Sequence, residues 1–317
     1  MTYQEYLQTR LEQENQKSGL KSVLIIDGSD SRAVEAAKLL KAKNLIKPIL
    51  LVSKIDPNLS IEQHEISPKM KLEFIDKFVE FRKGKETFES ASKQFESPAF
   101  YGAMLLKTKQ VDAVIGGLNY PTAEILRAAF KVIGPKANIK TISSVMIVHK
   151  ESQKYLFSDI SVNIAPNEQQ LVDIAKNAVD FALQLGFEPK PAFLSFSTKG
   201  SAKSPQSELV TRATEMFNAN SPIEAYGEIQ FDAALDSEVR LQKYKTNDPT
   251  NANVLIFPNL DAGNIGYKIA QRLGNFGAIG PIITGIAEPI NDLSRGSTIE
   301  DIFNTALISA LQVKKEN

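Results

Sequence analysis

Ser22-Val23-Leu24-Ile25-Ile26-Asp27-Gly28-Ser29-Asp30 opens the stretch that decides the fold. Its first five residues are a short apolar run of strand character, and Asp27-Gly28-Ser29-Asp30 is a turn that leads into a helix from about Ser31 to Ala42. Lys47 to Val52 then forms a second strand-like run. A strand, a helix and a strand in close succession make a β-α-β unit, which requires a parallel sheet covered by helices. Gly28 alone is not a dinucleotide fingerprint, because Gly-x-Gly-x-x-Gly is missing, and Gly-x-x-x-x-Gly-Lys-Ser/Thr occurs nowhere.

Outward from this unit the alternation continues. An amphipathic helix precedes it, with Thr2 and Glu5 at the spacing of a helix cap rather than of a signal peptide. Helices follow over Pro68 to Arg82, with Met70, Phe74, Phe78 and Phe81 on one side, over Phe88 to Phe95, and over Pro98 to Lys107. The first of these delivers Arg82-Lys83-Gly84-Lys85 at its end. A strand at Val111 to Ile115 runs into Gly116-Gly117. Pro121 opens a helix that carries Arg127 off its apolar side and stops at Gly134-Pro135. Near residue 140 the pattern changes: Thr141 to Val148 and Tyr155 to Phe157 read as a hairpin, which places a domain boundary there. Beyond it come a helix at Glu168 to Leu185, a strand at Ala192 to Phe196, a helix at Pro205 to Phe217 and a strand at Val254 to Phe257. The loops Phe196–Lys203 and Pro258–Lys268 follow strands, where open α/β sheets bind ligands.

The whole chain sets bounds on function. Its 317 residues suffice for about two domains, and 37 basic residues balance 37 acidic ones, so no general field attracts nucleic acid or an anionic membrane. An anionic ligand must be held by a local cluster. No run approaches the roughly 18 apolar residues of a membrane span, and a soluble, cytoplasmic protein is expected. The absence of cysteine removes disulfides, thiolate metal sites and an enzyme-bound thioester. Only His64 and His149 are present, and neither has a Gly-x-Ser-x-Gly elbow nearby, which argues against a hydrolase triad.

The functional stretch is Pro289-Ile290-Asn291-Asp292-Leu293-Ser294-Arg295-Gly296-Ser297-Thr298-Ile299-Glu300-Asp301, a polar loop feeding the last helix. Ser297 and Glu300 have capping-box spacing, and Ile299, Ile302, Phe303, Ala306, Leu307, Ala310 and Leu311 recur every three or four residues, so a helix starts near Thr298. Free N–H groups and the positive end of the helix dipole favour an anion there, and Arg295 adds a planar donor fork suited to phosphate. At about 100° per residue, Asp301 lies nearly opposite the centre of the apolar stripe and is not needed for packing.

Leu194–Ser201, Gly227–Ala234, Asn253–Leu273 and above all Asn291–Gly296 resemble the phosphate acetyltransferase (phosphotransacetylase) family; Arg82-Lys83-Gly84 and Thr122–Arg127 match more loosely. The resemblance implies a two-domain, parallel-sheet-rich α/β architecture of the isocitrate/isopropylmalate dehydrogenase-like kind, with the active site in the interdomain cleft. One domain would comprise residues 1–139 and 289–317, the terminal helix returning to it, and the other, used for dimerisation, 140–288. It also implies reversible transfer of an acetyl group between CoA and phosphate by direct thiol attack in a ternary complex, an acyltransferase reaction with CoA as substrate, no further cofactor and no metal. Position by position, Asp301 matches the family's general base, Ser294 the hydroxyl that stabilises the transition state and Arg295 the phosphate-binding arginine. Arg82, Arg127 and Thr122 match substrate-binding positions. The partners implied are CoA, acetyl phosphate, phosphate and a second copy of the chain.

A free thiol has a pKa near 8.5 and a free aspartate near 3.9, so complete ground-state transfer is uphill by roughly 6 kcal/mol and must be concerted with attack. The sequence departs from the family pattern at Pro121, where a hydroxyl is common, and in the shortened Arg82-Lys83-Gly84-Lys85. Three other readings compete. They are a phosphate butyryltransferase with a larger acyl pocket, a non-catalytic acetyl-CoA-sensing module, and a dehydrogenase on a related fold. The Leu293-Ser294-Arg295-Gly296 motif leans toward the acetyl enzyme, a sensing module tends to lose the Ser-Arg and Asp positions kept here, and a dehydrogenase needs a carboxylate cluster or nicotinamide fingerprint that is not evident.

Overall fold

A computed structural model describes residues 2–313. The chain divides into two compact units, Gln4–Lys136 with 286–313, and Ala137–Gly285 with residues 2–3. In chain order the first unit runs α1 (Tyr3–Ser18), β1 (Ser22–Ile25), α2 (Ser31–Ala42), β2 (Lys47–Val52), β3 (Glu62–Glu65), α3 (Pro68–Phe81), α4 (Phe88–Gln94), α5 (Pro98–Lys107), β4 (Ala113–Gly116) and α6 (Thr122–Ala128), which continues into a π-helical turn over Ala129–Ile133. The second unit contains β5 (Ser143–Lys150), β6 (Gln153–Ser158), α7 (Glu168–Gln184), β7 (Pro191–Leu194), α8 (Pro205–Ala219), β8 (Tyr226–Ile229), α9 (Phe231–Leu235), α10 (Ser237–Tyr244), β9 (Val254–Ile256), α11 (Leu260–Arg272) and β10 (Gly277–Thr284). The chain then re-enters the first unit as β11 (Ile290–Asp292) and α12 (Ile299–Gln312).

The first unit is built on an all-parallel sheet in the order β11-β4-β1-β2-β3. Its central strands are apolar throughout because helices cover both faces, and Val23, Leu24, Ile25 and Ile115 are fully buried. The order decides where a ligand can enter. From β1 the chain steps one way to β2 and β3, then crosses back to β4 and finally to β11. Right-handed crossovers in opposite directions put α2 on one face and α3–α6 on the other. The loops leaving β1 and β4 therefore diverge, and the crevice between them lies at the carboxyl end of the sheet. α12 packs on α2 and against β1 and β4, so its N-terminus comes to that same end.

The second unit has a six-stranded mixed sheet, β10-β5-β6-β9-β7-β8, in which β10, β5 and β6 pair antiparallel and the rest parallel. The hairpin at residue 143 is the antiparallel part. One apolar cluster, centred on Phe157, Leu194, Ile229 and Leu255, fills one side of this sheet.

Several elements differ from the sequence expectation. β3, Glu62-Gln63-His64-Glu65, is an edge strand with half-exposed polar residues and hence no apolar alternation. β8 and β10 contain Gly227 and Gly280-Pro281, and their pairing with β7 and β5 shifts register across these residues. Most consequentially, the stretch expected to be a polar loop before the last helix contains a buried strand, β11. It pairs in parallel with β4, Ile290 with Val114, Asn291 with Ile115 and Asp292 with Gly116, and Leu293 N donates to Gly116 O at 2.7 Å. Its polar side chains are tolerated because they have partners: Asn291 Nδ2 donates to Ser309 Oγ at 2.8 Å and to Gln312 Oε1 at 2.7 Å.

Gly117 lets β4 and the chain after β11 approach. Its φ is +128°, and an added Cβ would stand 2.4 Å from Leu293 O and 2.5 Å from Asp292 Oδ1. Gly117→Ala is predicted to cost at least about 2 kcal/mol in chemical unfolding. A loss below about 0.5 kcal/mol would mean that the close approach is not required.

Candidate active site

Each candidate residue in the first unit lies on an element whose local sequence explains its place. α2 begins at Asp30, an N-cap whose Oδ1 accepts the Arg32 N–H at 2.9 Å. The Arg32 guanidinium closes on the same carboxylate, Nη2 to Oδ2 at 2.8 Å, and this pair holds the Asp30 carboxyl at about 2. Arg32 Nη1 then donates to Arg295 O and to Ser297 O, both at 2.9 Å, fixing the loop before α12 to the start of α2. Arg32 carried no signal in the sequence beyond its place in a first helical turn; its role depends on two carbonyls more than 260 residues away.

α12 starts where the periodicity places it, but its cap is not the expected pair. Thr298 is the N-cap and Asp301 completes the box: Thr298 Oγ1 accepts from Asp301 N at 3.2 Å, and Asp301 Oδ2 accepts from Thr298 N at 2.8 Å and from Thr298 Oγ1 at 2.9 Å. Ser297 instead is buried, donating its N–H to Ser294 O at 2.9 Å. The shift by one residue follows from the buried Ser297, whose carbonyl is already taken by Arg32. Asp301 is therefore both a cap and a half-buried carboxylate, and Oδ1 takes no hydrogen bond from the described residues. Ser294 Oγ accepts the Gly296 N–H at 3.2 Å, which leaves the hydroxyl proton free to donate. Arg295 is exposed, and its guanidinium has no partner among the described residues.

Thr122, at the first position of α6, is exposed, and its Oγ1 lies 2.6 Å from Asp292 Oδ2. Asp292 is buried with Oδ1 unpartnered, and burial, reinforced by the nearby Asp27 carboxylate and opposed by the Thr122 hydrogen bond, raises its carboxyl to about 7. Asp27, two residues beyond β1, accepts from Gly117 N at 2.8 Å and from Asn119 N at 3.0 Å. These contacts knit the loops after β1, β4 and β11 together. Beside them opens a pocket of about 770 Å³ lined by Asp27–Arg32, Tyr101, Asn119 and Tyr120 among others.

Thr122, Ser294, Arg295 and Asp301 thus occupy the same connected loop system. Arg127 lies exposed in the last turn of α6. Arg82 is placed differently: it caps α3, is half-buried, and its Nη1 reaches Lys131 O at 3.4 Å on the π-helical turn, while Nε is buried without a partner. Its hydrogen bond is structural, tying α3 to the run that follows α6. Asp27, Asp30, Arg32 and Asp292 were not singled out by sequence reasoning, although the strand-turn-helix at Asp27–Asp30 is a signal for a ligand loop. Among the described residues there is no cluster of three or more His, Asp or Glu side chains able to hold a metal, and no helix long and apolar enough to cross a membrane.

Comparison with known proteins places this geometry. The family model described as "phosphate acetyl/butaryl transferase" matches residues 7–310, and the chain belongs to that family of transferases. A phosphate acetyltransferase of Mycoplasma capricolum is 40% identical over 304 residues, covering 92% of this chain and 94% of that one. A phosphotransacetylase structure from Streptococcus pyogenes superposes with a TM-score of 0.86 at 37% identity, covering 99% of both chains. The fold is dehydrogenase-like: a 4-hydroxythreonine-4-phosphate dehydrogenase of Klebsiella pneumoniae shares it at 10% identity and a TM-score of 0.55, a likeness of fold alone, over 92% of this chain and 98% of that one.

The Asp292 carboxyl has a consequence for stability. Folding raises it from 3.8 to about 7, so the native state holds a proton that the unfolded chain releases, and stability is lost as pH rises through that window. Asp292→Asn cannot ionise and is predicted to gain on the wild type between pH 4 and 8, by up to roughly 4 kcal/mol. Urea unfolding of both proteins across pH measures the gap; parallel curves would contradict the protonated buried acid.

Proposed function

We propose that the chain is a phosphate acetyltransferase that moves an acetyl group reversibly between CoA and phosphate. The observation that carries this reading is the start of α12, where one turn of chain presents an unpaired arginine, a free hydroxyl proton and a carboxylate with one oxygen held and the other open. In the direction of acetyl-CoA formation, the CoA sulfur attacks the carbonyl carbon of acetyl phosphate while Asp301 Oδ1 takes the thiol proton. The carbonyl π electrons move onto oxygen, where the Ser294 hydroxyl donates to the developing oxyanion. As they return, the bond from carbon to the bridging oxygen breaks and its electron pair leaves on phosphate. Arg295 binds that phosphate, its two-pronged donors matching two oxygens. Thr122 faces the same anion, and Arg127 supplies positive charge for substrate binding, as does Arg82, whose structural contact with Lys131 O occupies Nη1 alone.

The cap contacts support the base role, because Thr298 orients the carboxylate by fixing Oδ2. The acetyl rather than the butyryl substrate is supported by the Leu293-Ser294-Arg295-Gly296 motif and by the names of the relatives described above. The working enzyme is proposed to be a cytoplasmic homodimer. On α11 and its C-cap, Ile265, Ile269 and Leu273 form a stripe at helical spacing, 56%, 53% and 80% exposed, which a second copy would cover.

The test is thioester absorbance with CoA and either acetyl or butyryl phosphate; faster reaction with butyryl phosphate would favour the larger-pocket enzyme, and no reaction with either would remove the activity. Asp301→Asn is predicted to lower kcat by about 100- to 10,000-fold with little change in KM for CoA, the lost rate partly returning as pH approaches the thiol's ordinary 8.5 or so. Turnover within about threefold of wild type would remove Asp301 as the base. Arg295→Lys, a point charge in place of a fork, is predicted to raise KM for acetyl phosphate and to slow turnover without changing the melting temperature. Unchanged kinetics would take Arg295 out of the site.

A further inference from the structure

Asp292 is a carboxyl group that the reaction described above does not use, yet it lies two residues from Ser294 and 2.6 Å from the Thr122 hydroxyl. We propose that Asp292 is a positioning residue that sets the direction in which the Thr122 hydroxyl proton points. The inference rests on the reading of Thr122 as a substrate-facing hydroxyl.

The two oxygens of Asp292 have different surroundings. Oδ2 meets Thr122 Oγ1, whereas Oδ1 is packed over Gly117, within 2.5 Å of where a Cβ would stand, and has no hydrogen-bond partner. A proton on this carboxyl therefore has one acceptor within reach, Thr122 Oγ1, and must sit on Oδ2 to use it. When Asp292 is the acid, it donates to Thr122, and the threonine proton turns outward as a donor for a phosphoryl oxygen. When Asp292 is the carboxylate, it takes the threonine proton, and Thr122 offers outgoing ligands only lone pairs. An anionic phosphoryl group binds the first arrangement and is repelled by the second. Nothing is transferred to the substrate; the change is a reorientation of one hydroxyl.

The surroundings favour the acid at neutral pH and below. β4, the partner of β11, contributes no charged side chain over Ala113–Gly116, and α12 carries charge only at Glu300 and Asp301 in its first turn. α6 carries Thr122 with Glu124 and Arg127, and β1 leads into Asp27, the charged group that acts directly on Asp292. A buried carboxyl facing another carboxylate, with no cation against it, keeps its proton to higher pH than an exposed one.

The experiment measures kcat/KM for acetyl phosphate from pH 5.5 to 8.5 in the wild type, Asp292→Asn, Thr122→Val, Thr122→Ser and the double variant Asp292→Asn/Thr122→Val. An asparagine amide donates to Thr122 permanently, so it mimics the acid. Titration of the substrate and of other groups is common to all variants and cancels in ratios. The wild type is expected to fall about tenfold relative to Asp292→Asn as pH rises through about 7, the loss of one charge-assisted hydrogen bond, and to do so in KM more than in kcat. Thr122→Ser keeps this fall, and Thr122→Val abolishes it, so the double variant matches Thr122→Val at every pH. Equal pH profiles for wild type and Asp292→Asn, or a difference that survives in the Thr122→Val background, would overturn the proposal. A readout without substrate separates this from failure of the activity itself: the infrared C=O band of a protonated Asp292, absent in Asp292→Asn, is expected at pH 6 and is expected to shift in Thr122→Val. A missing or unshifted band overturns the inference even in an active enzyme. A shifting band in a protein that makes no thioester supports the coupling and overturns the acetyltransferase reading alone.

Discussion

The parallel pairing of β11 with β4 is the constraint on which the site depends. Three residues, Ile290, Asn291 and Asp292, dock on the exposed edge of β4 some 175 positions after it in the chain. Because the pairing is parallel, the chain leaves β11 at the carboxyl end of the sheet, where the loops after β1 and β4 already diverge. Ser294 and Arg295 follow within three residues, and α12 starts immediately afterwards. A shift of register by one residue would turn Asn291 and Asp292 to the opposite faces of the sheet, away from Ser309 and Thr122. The buried polar contacts of this short strand therefore specify its register as much as they stabilise it.

Around that strand, electrostatics divide the acidic residues by environment. Asp30 has Arg32 against it and is held at about 2, while Asp292 is raised to about 7 by burial, with only a hydroxyl and another carboxyl beside it. Arg32 joins the two halves of the system, since the same guanidinium that neutralises Asp30 binds the carbonyls of Arg295 and Ser297. With Arg32 committed to the scaffold, the Arg295 guanidinium keeps no partner among the described residues, as the proposed phosphate contact requires. Asp301 combines both kinds of task in one side chain, with Oδ2 completing the helix cap and Oδ1 open. A cap is a good mount for the base proposed above, because the same two hydrogen bonds that start the helix lock the rotamer.

Much of this was legible in the sequence, and the rest was not for physical reasons. α2 and β2 lie where periodicity and turn residues put them, since Ser31–Ala42 and Lys47–Val52 obey the local rules of buried helix and strand. Ser294, Arg295 and Asp301 could be named because they carry chemistry around a helix start, with Asp301 off the apolar stripe, whereas Thr122 was named only through the family resemblance. β11 was hidden because Asn291 and Asp292 are polar, and only their distant partners make burial possible. The choice of Thr298 with Asp301 over Ser297 with Glu300 is likewise non-local, decided by Arg32 taking the Ser297 carbonyl. Arg82 is another non-local case: the family resemblance implied a substrate-binding position, and the contact of its guanidinium with the backbone of the π-helical turn could not be read from the local sequence.

The most direct test of the account is a crystal structure of the protein soaked with acetyl phosphate. The phosphoryl oxygens are predicted to lie within hydrogen-bonding distance of the Arg295 guanidinium and of Thr122 Oγ1, with the acetyl carbon facing Asp301 Oδ1. Acetyl phosphate bound elsewhere, with Arg295 and Thr122 unengaged, would contradict it.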